Sequence, residues 1–278
     1  MDIIIQTAKP NQLPELKKIW SECFGDSNDY IELFFKHRYR NTTALTAICS
    51  GKTVGAVYLM PVLAEEYGVI KKGMYIYAAG VLKEYRKNGI FAAMQNKINL
   101  HLKQNDEFCI LCPANQKLYG YYCNLGYSDY SYLTDIAVSA GDTAAENFKS
   151  ESISAEEYIR LRNSYFKSDG LICWNEEAVN YAMVENTFCG GYSFKISDAS
   201  AAYAILARPF GDTVKIIEST VPQNLMKPIT NFICKKYGKK SAIWTRASYD
   251  AYGNQAYISA LSINLKKAEY PYMNLLLN

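Results

Sequence analysis

Apolar residues recur at helical spacing early in the chain. Leu13, Leu16, Ile19, Trp20 and Cys23 share one face with Pro14 in the first turn, which predicts a helix over 7–24. Gly25, Asp26 and Ser27 close it and open a second helix over 29–37, whose apolar residues are Ile31, Phe34 and Phe35. The pattern then shortens. Segments 43–49 and 53–60 read as a hairpin around Ser50, Gly51 and Lys52, and 62–67 and 74–82 as a second around 68–73. Helical spacing returns with Ile90, Met94 and Ile98, followed by a strand at 108–112, a helix ending near Tyr122 and a strand reaching about 139. Small and polar residues over 140–150 suggest a linker. Beyond it, Ser154 and Glu157 form a capping box for a helix to about 166, and a second helix covers 175–188. Strands at 191–196, 201–208 and 213–220, a helix over 222–237 and strands at 241–245, 257–263 and 271–277 complete the chain. This order repeats that of the first half.

One stretch combines structure with chemistry. The strand at 74–82 leads through Arg86, Lys87, Asn88 and Gly89 into the helix that begins at Ile90. A strand that delivers a glycine turn to a helix N-terminus gathers free backbone N–H groups at the positive end of the helix dipole, an arrangement suited to phosphate. Arg86 and Lys87 add charge, and Gly89 permits close backbone approach or a positive φ. The helix at 222–237 begins without a glycine turn or a cation at the matching place, so phosphate there would lack both cradle and charge.

Val81, Arg86, Gly89 and Phe91, spaced Val-x-x-x-x-Arg-x-x-Gly-x-Phe, resemble the pyrophosphate loop of the GNAT acyltransferase superfamily, usually Arg/Gln-x-x-Gly-x-Gly/Ala. Phe91 stands where that pattern has a small residue. The loop survives if the Phe91 amide faces the phosphate while the ring turns away. Downstream, Tyr121, Tyr122, Gly126 and Tyr127 are similar to the family's Phe-Tyr-x-x-x-Gly-Phe signature, and Leu125 sits where the family usually has Leu. Two loose motifs in the right order and spacing are more specific than either alone, and the resemblance spans about 3–139.

The resemblance implies an α+β (αβα) fold, with a mixed, mostly antiparallel twisted sheet and a splayed central parallel strand pair. It implies an acetyltransferase domain over 1–140 and a second, degenerate GNAT-like domain over 151–278 that shapes the substrate cleft. The implied activity is acetyl-coenzyme A-dependent N-acetyl transfer to a primary amine of a small molecule or peptide. Main-chain groups of Gly80, Val81 and Leu82 would hold the pantetheine arm. Arg86, Lys87, Asn88, Gly89, Ile90 and Phe91 would hold the pyrophosphate. Asn115 matches a position that often touches the coenzyme, and it equally reads as an N-cap. Tyr122 matches the family's tyrosine acid, with Tyr119 and Tyr121 as near rivals. No general base stands out, since Glu84 and Asp129 are near only in sequence. In some two-domain relatives the C-terminal carboxylate enters the cleft, which makes Asn278 a candidate. The competing readings are an acetyl-coenzyme A sensor or interaction module without turnover, and an aminoacyl-transferase relative, which would need a basic surface for its carrier RNA.

Composition narrows the remaining classes. The chain has 278 residues, 49% hydrophobic and 21% charged, a length for one large or two ordinary domains. A formal charge of +3 without a basic aromatic stripe argues against nucleic acid. No apolar run suits a membrane helix, and the start lacks a signal-like core, so a cytoplasmic location is expected. Eight scattered cysteines read as reduced packing residues, and two histidines make a zinc site unexpected. The 24 tyrosines suit either a polar cleft or a mixed core, and nothing in the chain closes off a homo-oligomer.

Overall fold

In the computed structural model, residues 2–141, 148–167, 169–250 and 255–275 are described. The chain forms two compact units: Met1–Asp129 with Ala260–Lys266, and Tyr130–Ser259 with Lys267–Asn278.

The first unit starts with β1 (Ile3–Thr7), followed by α1 (Leu13–Phe24), α2 (Asn28–His37), β2 (Ala44–Cys49), β3 (Lys52–Glu66) and β4 (Val69–Val81). Next come α3 (Ile90–Asn105), β5 (Phe108–Leu111) and α4 (Gln116–Cys123). The strands lie in the order β1-β2-β3-β4-β5; the first three pairings are antiparallel and β4–β5 is parallel. Leu261–Ile263 pair antiparallel with β5 on its outer side. α1 ends at Gly25, whose φ of +73° is the left-handed cap that a glycine adopts without steric cost. Trp20 and Phe34 from the two helices pack on Tyr58 and Tyr77 of the sheet, with ring centroids 4.4–5.9 Å apart. α3 covers the opposite face with Ile90, Met94, Ile98 and Leu102 buried, giving the expected three layers.

Several expectations are corrected. The helix expected over 7–24 begins at Leu13, and Thr7 instead ends β1, whose short run finds an antiparallel partner in β2. β3 runs unbroken through Pro61, which sits opposite Met74 in the ladder. Gly73, expected in a turn, lies inside β4, where a Cβ would come within 2.4 Å of the Phe108 ring. Of the strand expected over 271–277, the described residues 271–275 form an isolated bridge from Tyr272 to Leu171. Their polar groups are used in side-chain and turn bonds: Met273 N–H donates to Ser131 Oγ at 3.0 Å and Tyr272 N–H to Gly170 O at 3.0 Å.

The second unit contains β6 (Ser128–Ser139, from Tyr130 onward), β7 (Lys149–Ser152), α5 (Ala155–Tyr165), the two-residue β8 (Ile172–Cys173) and α6 (Glu176–Phe188). β9 (Tyr192–Ser197), β10 (Ala202–Phe210), β11 (Thr213–Ser219), α7 (Met226–Tyr237), β12 (Ser241–Ala247) and β13 (Ala256–Ile263, through Ser259) follow. The unit boundary falls at Asp129 and Tyr130, ahead of the small and polar stretch at 140–150, because β6 pairs with β12 from Leu133 to Ser139.

The order β7-β9-β10-β11-β12 repeats β1-β2-β3-β4-β5, with the same directions, including a parallel β11–β12 pair. The repeat extends to an irregularity. In β4, Tyr77 is a bulge between Ile76 and Ala78; in β11, Ile217 is a bulge between Ile216 and Glu218. Each parallel pairing stops at the residue before its bulge, Ile76 and Ile216.

Candidate active site

β5 pairs with β4 only from Phe108 opposite Gly73 to Leu111 opposite Ile76. The Tyr77 bulge bends β4 away, and Pro113 beyond β5 has no N–H to continue a ladder. From Tyr77 to Val81, β4 keeps β3 on one side and, among the described residues, no strand on the other. This open wedge leads to the loop before α3.

In that loop Lys87 and Gly89 have φ of +66° and +72°, in the left-handed region. Such alternation turns successive N–H groups toward one side, a concavity that attracts anions. The first main-chain bond of α3 runs from Ala93 N–H to Gly89 O at 2.9 Å. Among the described residues, no group accepts from the amides of Lys87 through Ala92. The Asn88 side chain instead braces the loop, donating to Tyr85 O at 3.3 Å. Arg86 is also partly engaged: its Nε donates to Val81 O at 2.8 Å and its Nη2 approaches Cys23 Sγ at 3.7 Å. It therefore ties the loop to β4 and α1.

The cleft between wedge and loop encloses about 510 Å³. Ala79 and Val81 form one wall, the start of α3 from Gly89 to Ala92 a second, and Leu118, Tyr121 and Tyr122 of α4 a third. The Phe91 ring does not turn away. It lines the cleft, with centroids 5.9 Å from Tyr121 and 6.0 Å from Tyr122.

Tyr122 is 9% exposed, and its hydroxyl has no hydrogen bond among the described residues. Burial, followed by repulsion from Tyr121 and Cys109, pushes its pKa up to about 12. Its ring stands edge-on to Tyr127 at 5.7 Å. Tyr127 is fixed in turn by Gln95 Nε2, which donates to its hydroxyl at 3.1 Å. Gln95 was not singled out from the sequence, yet a polar residue on the buried face of α3 was a signal that a partner must exist. The Tyr77 bulge left no comparable signal, because it is a property of strand register.

The other expected residues divide. Tyr119 donates to Asp129 at 2.9 Å and does not line the cleft. Tyr121 does line it. Leu82 uses both main-chain groups inside the protein, its N–H on Val54 O and its carbonyl on Tyr85 N–H, each at 2.9 Å. Gly80 lies opposite Ala56 beneath Cys23, so close that a Cβ would sit 2.9 Å from the sulfur. Asn115 caps α4 by accepting the Leu118 N–H at 3.0 Å, leaving its NH2 group as the part able to reach a ligand. Asn278 lies outside the described residues.

A model described as Acetyltransferase (GNAT) domain matches residues 5–129, nearly the whole of the first unit, including loop, wedge and Tyr122. Residues 5–129 are a GNAT acetyltransferase domain. Acetyl-coenzyme A is the co-substrate of the GNAT family.

Solved structures extend the GNAT likeness in fold. A probable N-acyltransferase from Enterococcus faecalis aligns with TM-score 0.75 at 14% identity, covering 94% of this chain and 72% of that one. GCN5-related N-acetyltransferases from Anabaena variabilis (TM-score 0.69, 16% identity, 94% and 72% covered) and Kribbella flavida (0.70, 12%, 94% and 70%) align similarly. No curated protein matches the sequence significantly. Among the described residues, no helix is long and apolar enough to cross a membrane.

Proposed function

We propose that this chain is an N-acetyltransferase that moves the acetyl group of acetyl-coenzyme A to a primary amine of a small molecule or peptide. The observation that carries this reading is the row of free amides from Lys87 to Ala92 opening on the same cleft as the unbonded Tyr122 hydroxyl. The amides and Lys87 would hold the pyrophosphate, and the β4 edge beyond Tyr77 would take the pantetheine arm as an added strand. The neutral amine attacks the thioester carbon, the C–S bond breaks and the departing thiolate takes the Tyr122 proton, while the proton lost by the attacking nitrogen passes to solvent, from which the Tyr122 phenol is restored. Burial keeps that phenol protonated, and the same desolvation raises the basicity of a thiolate leaving in the cleft, so donor and acceptor stay matched.

The second unit is, in this proposal, a degenerate GNAT-like copy. Its helix α7 starts without a glycine turn, and its own wedge is filled. Asn274 Nδ2 donates to the bulge carbonyl of Ile217 at 2.7 Å, and Arg246 Nη1 donates to Val221 O. Between them Glu218 accepts from Arg162, Tyr158 and Tyr272 in a fully buried network.

Free-thiol release from acetyl-coenzyme A with a panel of aminosugars, polyamines and lysine peptides tests the activity. Amine-dependent release is expected. Phe91 in the cleft favours a second reading, a coenzyme sensor. Tight coenzyme binding with no release on any amine would replace the enzyme reading by that one.

A further inference from the structure

The GNAT domain has a second cavity at the other end of α3. It encloses about 570 Å³, and its lining residues do not overlap those of the coenzyme cleft. Leu59 and Pro61 of β3, Met74 of β4 and Ile98 of α3 make an apolar floor. Leu63, 40% exposed, extends that surface along the β3–β4 ribbon. A volume of several hundred Å³ with apolar walls and a few polar groups is the usual form of a small-molecule site.

The rim decides the ligand's charge. Its carboxylate, Glu107, is already engaged with His101 Nε2 at 3.1 Å. Lys72 and Lys97 also line the cavity, and among the described residues neither ammonium has an acceptor. An apolar floor beneath two unpaired cations matches a molecule with an apolar body and one anionic head. The lysine stems can lie along the apolar surface while their ammonium groups meet that head.

We propose that this cavity binds an amphipathic carboxylate, such as a medium-chain fatty acid, independently of the coenzyme. Its carboxylate lies between Lys72 and Lys97, and its chain lies over Pro61, Met74 and Ile98.

The test titrates octanoate into the whole chain labelled with 13C in its methionine methyls. The Met74 signal among the seven methionines is assigned with Met74→Leu. The expected result is a saturable shift of the Met74 methyl that persists in excess coenzyme A. Octanol and octylamine should bind at least about tenfold more weakly, and Lys72→Glu with Lys97→Glu should weaken octanoate by roughly tenfold. No Met74 shift overturns the proposal. An equal response to octanol overturns it as well, reducing the cavity to apolar partitioning, and so does an unchanged affinity in the double variant. None of these outcomes depends on acetyl transfer, so the proposal stands or fails separately from the enzyme reading.

Discussion

Tyr122→Phe removes one oxygen and little else. The ring keeps its neighbours at 5.7–6.0 Å, and no hydrogen bond among the described residues is lost. Global stability at neutral pH should therefore change by no more than about 0.5 kcal/mol. Coenzyme affinity should hold, because the amides of the loop are untouched. Loss of a positioned acid should slow turnover by roughly 10–1000-fold, equivalent to about 1.4–4.1 kcal/mol in the barrier. Thiol release at saturating acetyl-coenzyme A and amine measures the first effect and calorimetry with coenzyme A the second. A second consequence concerns pH. The folded pKa of Tyr122 is raised to about 12, above the ordinary phenol near 10. Its contribution to stability is thus complete below about pH 10 and is lost as pH rises toward about 12. Wild type should lose stability relative to Tyr122→Phe across that window, as read by paired urea melts. Unchanged turnover in the variant would remove Tyr122 from the reaction. A large loss of coenzyme binding would show that the hydroxyl serves the ground state.

Three further perturbations test the frame around the site. Gly89→Ala places its Cβ in open space, so its cost is the left-handed backbone alone, about 1–2 kcal/mol; coenzyme KM should rise several-fold with kcat nearly kept, and an unaltered KM would dismiss the amide cradle. Gly73→Ala pushes a Cβ within 2.4 Å of a fully buried Phe108 ring and should cost about 1–3 kcal/mol in urea unfolding, whereas an unchanged midpoint would mean the ring yields freely. Glu218→Gln leaves Arg162 buried without its counter-charge and should destabilise the chain by about 3–5 kcal/mol; a loss below about 1 kcal/mol would show that the network in the second wedge contributes little.

The legible part of the chain is the part governed by near neighbours. Helical spacing of Leu16, Ile19 and Trp20, and of Ile90, Met94 and Ile98, marks α1 and α3, since one apolar stripe suffices to choose which face is buried. The capping box at Ser154 is equally local, and its Oγ accepts the Glu157 N–H at 3.1 Å. Arg86 to Gly89 mark an anion-type turn because a glycine turn and its flanking helix are short-range objects, while Tyr121 to Tyr127 speak only through their resemblance to the GNAT signature. β1 and β7 escape notice, because five- and four-residue strands exist only through partners distant in sequence.

Choosing among Tyr119, Tyr121 and Tyr122 is a tertiary matter. Asp129 draws the first hydroxyl aside, while the last stays buried and unbonded at the cleft. The chain's pattern of residues determined a repeated order of helices and strands and a phosphate-type turn in the first copy only. Packing alone decided that β4 parts from β5 at Tyr77, while in the second copy Asn274 and Arg246 close the equivalent opening. Strand register and long-range hydrogen bonds depend on which distant groups meet, and that is written in no single stretch of sequence.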